Sequence, residues 1–210
     1  MCNRKTNIIG LAGQSCAGKN VVADFLEEKG FYVIDADVVA HAVLEDEQDA
    51  VIQRFLPAAE KNGVCLRLQN GTLDRKALGT LLFSDPLLLA EHEAFILPKI
   101  EDRIRSIMQA AAAAQAARPI VLNAPTLHKT NLIAECSFIF YITAPFFLRL
   151  IRGKKRDGLS FYRLVARFLR QKDFFTQYLG QNADIVSVKN AHSVQSLRKK
   201  IERILRKKGF

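Results

Sequence analysis

"NIIGLAGQSCAGKNVVADFLEEKGFYVIDAD", Asn7 to Asp37, is the stretch on which the fold turns. Asn7 to Ala12 is a short apolar run that suits a buried parallel strand. It feeds directly into Gly13–Gln–Ser–Cys–Ala–Gly18–Lys19, whose two glycines and lysine stand at the spacing G-x-x-x-x-G-K. After the loop, Val21, Val22, Phe25 and Leu26 fall on one helical face, and Gly30 is a natural stop. "FYVIDAD" then reads as a second buried strand ending on two acids. Strand, glycine loop, helix and strand in so few residues make a βαβ unit, which requires a parallel sheet.

A glycine loop between such a strand and helix turns backbone N–H groups toward one point, where the helix dipole also favours negative charge. Gly13 and Gly18 let the backbone curl, and Lys19 would reach the outer phosphates of a nucleotide. The residue after the lysine is Asn20, where a Ser or Thr hydroxyl would ordinarily hold a metal. Its amide oxygen is a different ligand for the same ion. Asp35 and Asp37 are placed at the carboxyl edge of a strand beside the loop, where ligands of parallel sheets sit. Either could take a proton from an attacking hydroxyl or help hold a metal; either could instead cap a helix beginning near Val38.

The rest of the chain completes an α/β pattern. From about Val38 to Ala117 there is no convincing strand, only helical periodicity with a turn at Gln69–Gly71 and a helix start in "FSDP", Phe83 to Pro86. The sheet resumes with Ile120–Asn123, Phe138–Thr143 and Asp184–Val188. Between the last two lies an amphipathic helix, with Ser160 as its N-cap, that sets Phe161, Leu164, Val165, Phe168 and Leu169 on one face and Arg163, Arg167 and Arg170 on the other. A last helix buries Leu197, Ile201, Ile204 and Leu205.

The chain has 210 residues, 49% hydrophobic and 25% charged, a length and balance suited to one core carrying an inserted subdomain. No apolar run approaches the roughly 18–20 residues that span a bilayer, and the alanine-rich Gln109–Ala117 reads as helix. The N-terminus lacks the pattern of a secretory signal. Cys2, Cys16, Cys65 and Cys136 are scattered without a C-x-x-C pair, which argues against a zinc site or disulfide framework and for a reducing, cytoplasmic setting. The net charge is +10, yet Arg149–Lys172 and Arg198–Lys208 together carry +14, so the remainder is slightly acidic. Localised positive charge suits a polyanionic partner, either nucleic acid or a ligand with several phosphates.

An ordered series of motifs resembles the dephospho-CoA kinase family. The opening block ends in D-A-D at Asp35–Asp37. "GTLDRKALGTLLFSDP" (Gly71–Pro86), "ILPKI" (Ile96–Ile100), "VLNAPTL", "KRDGLS" (Lys155–Ser160), "RFLRQ" (Arg167–Gln171) and "ADIVSVKN" (Ala183–Asn190) are similar to later family elements in the same order. The resemblance implies a three-layer P-loop kinase fold with a parallel sheet of about five strands. Its nucleotide-binding core would be 1–37 and 118–210, with a lid at about 150–175, and 38–117 would be a helical insertion that binds CoA.

It further implies transfer of the γ-phosphate of ATP, with Mg2+, to the ribose 3′-hydroxyl of dephospho-CoA. Gly13 and Ser15, Cys16, Ala17, Gly18, Lys19 and Asn20 would hold ATP, Asn20 facing the metal. Asp37 would be the catalytic base and Asp35 an auxiliary at the acceptor, with Arg75 also on the substrate and Arg156 reaching the transferring phosphate. ATP and dephospho-CoA are then the partners, with no membrane, and nucleic acid as the weaker reading. Asn20, Leu97 and Asn123 depart from the usual Ser/Thr, His and Asp; Thr126, His128 and Lys129 also depart, and His128 is expected at the surface. Two alternatives stay open: a P-loop kinase for a nucleoside or sugar, and a basic nucleic-acid-binding protein with a vestigial loop.

Overall fold

The computed structural model describes residues 8–114, 118–170, 174–180 and 183–210. Cys2, Asn7, Ala117, Gln171 and Lys172, named above, lie outside the described residues. The chain divides into two compact units, Met1–Asp35 with Met108–Phe210, and Ala36–Ile107.

In the first unit, five parallel strands form one sheet: β1 (Ile8–Gly13), β2 (Tyr32–Asp35), β3 (Ile120–Asn123), β4 (Phe138–Thr143) and β5 (Ile185–Lys189). Their order across the sheet is β2-β3-β1-β4-β5. The three inner strands are apolar nearly throughout because helices and turns cover both faces. On one face, α1 (Lys19–Glu28) and the C-terminal helix (Val194–Lys208) press Val22, Phe25, Leu26, Leu197, Ile201 and Leu205 against Ile9, Leu11, Val121, Phe140 and Ile142. Each such side chain contributes about 1.5–3 kcal/mol on burial. On the other face, Tyr141 of β4 packs against Tyr178, whose hydroxyl donates to the Pro125 carbonyl at 3.2 Å.

The strand order corrects one expectation. The acid-bearing strand is not beside the glycine loop; β3 runs between β2 and β1, and Asn123 is in register with Asp35 on one side and Leu11 on the other. The helix expected near Val38 begins at Ala36, so β2 ends on Asp35 and Asp37 stands in the first turn of α2 (Ala36–Asp46).

The second unit is helical. Besides α2 it contains α3 (Gln48–Lys61), α4 (Arg75–Ser84) and most of α5 (Pro86–Ala113), around Val51, Ile52, Phe55, Leu66, Leu78, Leu81 and Leu82. Asp74 caps α4 by accepting from the N–H groups of Lys76 and Ala77 at 2.9 and 3.0 Å. Within "FSDP", α4 ends and α5 begins, with the Asp85 carboxylate accepting from the Leu87 N–H at 2.8 Å.

The basic segment of the first unit forms α6 (Phe146–Asp157), α7 (Phe161–Arg170) and α8 (Phe174–Leu179), which makes the C-terminal helix α9. The N–H of Arg163 donates to the Ser160 hydroxyl, as a cap requires. Leu164 and Phe168 of α7 are buried against Leu150 of α6, but Phe161 and Leu169, expected on the same buried face, are exposed. Leu150 of α6 and Cys16 of the loop cover only the centre of the stripe.

Candidate active site

The loop between β1 and α1 is shaped by its glycines and by the side chains that grip it. Gly13 has φ +152°, and a Cβ there would stand 2.4 Å from the Ile142 carbonyl oxygen. Gly18 has φ +100°, and its Cβ would stand 2.5 Å from Nδ2 of Asn190. Both positions strain any side chain through their backbone angle, and at Gly13 the Ile142 backbone also takes the space. The curl is closed by hydrogen bonds from the Gln14 N–H to the Ile142 carbonyl and from the Ala17 N–H to the Gln14 carbonyl, at 3.0 and 3.1 Å. Cys16 adopts the left-handed conformation at φ 61°.

Three side chains from the far half of the sequence take up the loop's carbonyls. Arg149 donates from Nε to the Ser15 carbonyl at 2.9 Å, and Arg152 to the Ala17 carbonyl at 3.4 Å. Asn190, buried just past β5, donates to the same Ala17 carbonyl at 2.8 Å. The helix that follows has no side-chain N-cap, so its first turn carries the positive end of its dipole into the curl. Cys16 packs with Leu150, Leu164 and Phe168.

Arg149 is buried at 6% exposure, with its guanidinium 4.0 Å from the centre of the Phe168 ring. Burial draws its pKa below the usual arginine value, while Cys16 and Tyr141 nearby act the other way. An arginine so placed remains a cation. It fixes α6 and α7 to the loop.

Lys19 reaches from the start of α1 to Asn123, donating from Nζ to Oδ1 at 2.5 Å. Asn123 in turn donates from Nδ2 to Oδ2 of Asp35 at 2.9 Å. Loop lysine, buried amide and strand-end carboxylate thus form one hydrogen-bonded line from the start of α1 through the end of β3 to the end of β2. Asp37, exposed, follows Asp35 by two residues in α2 of the helical unit. Asn20 is exposed on the first turn of α1.

Arg156 donates to both oxygens of Asp157, at 2.6 and 3.1 Å, and Arg167 of α7 donates to the same carboxylate. In the helical unit, Arg75 lies 3.6 Å from Glu45. His128 is not at the surface: it is buried in a short 3-10 turn with its ring 4.9 Å from that of Tyr178. The clamps by Arg149, Arg152 and Asn190, and the bridge by Asn123, were not assigned from sequence. The i,i+3 spacing of the two arginines and the asparagine ending "ADIVSVKN" were the only local signals.

A lysine-bearing curl at the edge of a parallel sheet, with a carboxylate tied to that lysine through the intervening strand, is the apparatus of a P-loop phosphotransferase. The family model for dephospho-CoA kinase matches residues 7–195. Dephospho-CoA kinases of Treponema denticola and Treponema pallidum are each 49% identical, over 97% and 96% of this chain and 91% and 95% of theirs. The chain belongs to the dephospho-CoA kinase family. A crystal structure from Thermus thermophilus superimposes with a TM-score of 0.75 at 26% identity, covering 95% of this chain and 96% of the other. The dephospho-CoA kinase of Campylobacter jejuni gives 0.69 at 24% identity over the same shares, a likeness of fold. Among the described residues, no helix is long and apolar enough to cross a membrane.

Proposed function

We propose that this chain is a dephospho-CoA kinase of the cytoplasm, moving the γ-phosphate of ATP to the ribose 3′-hydroxyl of dephospho-CoA and releasing coenzyme A and ADP. Beyond family membership, the observation that carries this reading is the line from Lys19 through Asn123 to Asp35 at the glycine curl.

Phosphoryl transfer needs little covalent help and much charge neutralisation. Gly13 and Ser15 to Lys19 cradle the phosphates, and Lys19 exchanges the neutral oxygen of Asn123 for a charged phosphate oxygen. Asp37 accepts the proton of the 3′-hydroxyl as that oxygen bonds to the γ-phosphorus, and the bond to the bridging oxygen breaks to leave ADP. Asp35 and Arg75 hold the acceptor, with residues 38–117 as its binding region. Arg156, in a lid at about 150–175, releases Asp157 and meets the transferring phosphate.

Magnesium, when bound with ATP, supplies further neutralisation, and Asn20 is the side chain that would hold it or one of its waters. The donor chemistry fits: an amide oxygen suits a hard cation, and Asn20 is exposed on the first turn of α1 beside Lys19.

The test is ADP release with dephospho-CoA, comparing wild type with Asp37→Asn. Turnover should fall about 10²–10⁴-fold, as on removing a general base, with ATP affinity nearly kept. Transfer to a nucleoside or sugar but none to dephospho-CoA would reject the acceptor; salt-dependent oligonucleotide binding without any ADP formation would reject the enzyme.

A further inference from the structure

The C-terminal helix carries charge that phosphoryl transfer leaves unused. α9 starts beyond the carboxyl end of β5 and runs back to the amino edge of the sheet. There the Lys208 ammonium stands 5.6 Å from the centre of the ring of Phe138, the first residue of β4, and the Phe210 ring lies 5.7 Å from the same ring. Ligands of open parallel sheets bind at the opposite, carboxyl edge. The outer face of α9 points away from the sheet, and its second half is also at the wrong edge to meet a nucleotide in the loop.

Leu197, Ile201 and Leu205 share the face of α9 that is pressed on the core. At 3.6 residues per turn, Lys199, Arg203, Arg206 and Lys207 fall together on the opposite face, along about 12 Å of axis. All four are exposed, and with Glu202 they line an open surface hollow of about 420 Å³. Among the described residues, Lys199, Arg203 and Lys207 meet no carboxylate. Arg206 lies 3.5 Å from a Glu202 oxygen that Lys29 already holds at 2.9 Å. Glu28, toward α1, takes two bonds from Arg198, both at 2.8 Å. The acids beside this ridge are thus matched by other cations.

We propose that this face is a docking surface for double-stranded DNA, held through its phosphates without regard to sequence. The function lies beyond the kinase reading and does not depend on it. Each cation that meets a phosphate releases a condensed counterion, which drives binding. A bilayer fits less well, because the apolar face of α9 is taken up by the core and cannot enter a membrane. A single strand fits less well too, because the four side chains include no aromatic ring on which a base could stack. Between duplexes, the major groove of B-DNA is about 12 Å wide and admits a helix, whereas that of A-form RNA is narrow. Arg206 and Lys207, about 100° apart around the helix, would face the two phosphate walls.

The test is fluorescence anisotropy of a short labelled DNA duplex across a salt titration. Four phosphate contacts should give a slope of about −3 to −4 in log K against log salt. The triple variant Lys199→Glu, Arg203→Glu, Lys207→Glu should bind about tenfold more weakly or worse, with a slope near −1. Its Tm should hold, since none of the three side chains has an ion pair to lose. A wild-type slope shallower than about −2 overturns the proposal whether or not the variant folds. Binding that ATP displaces, or that the triple variant keeps in full, would place the DNA on the basic helices α6 and α7 and overturn it. Tighter binding to phosphatidylserine vesicles, or to an RNA duplex of the same sequence, would also overturn it. No turnover is measured, so failure of the kinase reading leaves the result standing.

Discussion

Asp157 holds Arg156 by both carboxylate oxygens, and its second oxygen also receives Arg167 from the next helix. The hydrogen bond from Arg156, followed by that from Arg167, lowers the Asp157 pKa from 3.8 to about 2. The folded-state pKa is depressed, so this contribution to stability is present above about pH 4 and is lost as the pH falls toward 2. The arginines are substantially solvent-exposed, which limits it to the order of 1 kcal/mol. Asp157→Asn should lower stability in urea at pH 6, and the gap from wild type should close between pH 4 and 2. A gap that stayed constant with pH would mean that the carboxylate's charge is not its source.

The contact between Gly18 and Asn190 leads to a second expectation. Gly18→Ala places a methyl group 2.5 Å from Nδ2 of Asn190 at a backbone angle of +100°, so either the loop or the asparagine must shift. The combined strain is about 1–3 kcal/mol. ADP affinity should fall tenfold or more, while Asn190→Ala, which only releases the Ala17 carbonyl, should cost less. Equal ADP affinity in wild type and Gly18→Ala would show that the curl tolerates a different shape.

Arg149 gives a third. Its charge lies on the Phe168 ring and its Nε bonds the Ser15 carbonyl. Arg149→Lys keeps a cation but loses the planar group that does both, and Arg149→Met keeps only the stem. Each should destabilise the protein by about 2–3 kcal/mol, on the order of 5–10 °C in Tm for a chain of this size. Lys matching wild type while Met fell would assign the whole effect to charge and leave no part for geometry.

Sequence carried the strands and the loop because their signals are local. Runs such as Ile120–Asn123 and Phe138–Thr143 are apolar throughout, and the glycine–lysine spacing needs only its flanking strand and helix. Strand order is not local, and the insertion of β3 between β1 and β2 is what gives Asn123 its place. The clamps of Arg149 and Asn190 on the loop likewise join residues 134 and 173 positions apart. His128 was misjudged because its cover, Tyr178, arrives from a distant helix. The periodicity of α7 identified Leu164 and Phe168 correctly but could not say how wide a stripe α6 would cover.

Asn20 provides the last expectation. It occupies the second position of α1, exposed to solvent beside the residue whose ammonium meets Asn123. An amide oxygen carries no formal charge, and its side chain is one bond longer than that of a serine hydroxyl. A serine at this position offers a shorter donor at the same turn of helix, so Asn20→Ser should lower the magnesium concentration giving half-maximal velocity by several-fold. The maximal rate at saturating magnesium should change little, because the ion's other oxygens would come from phosphates and water. Assays across a magnesium titration at fixed ATP decide it: curves that superimpose for the two proteins would place Asn20 away from the ion.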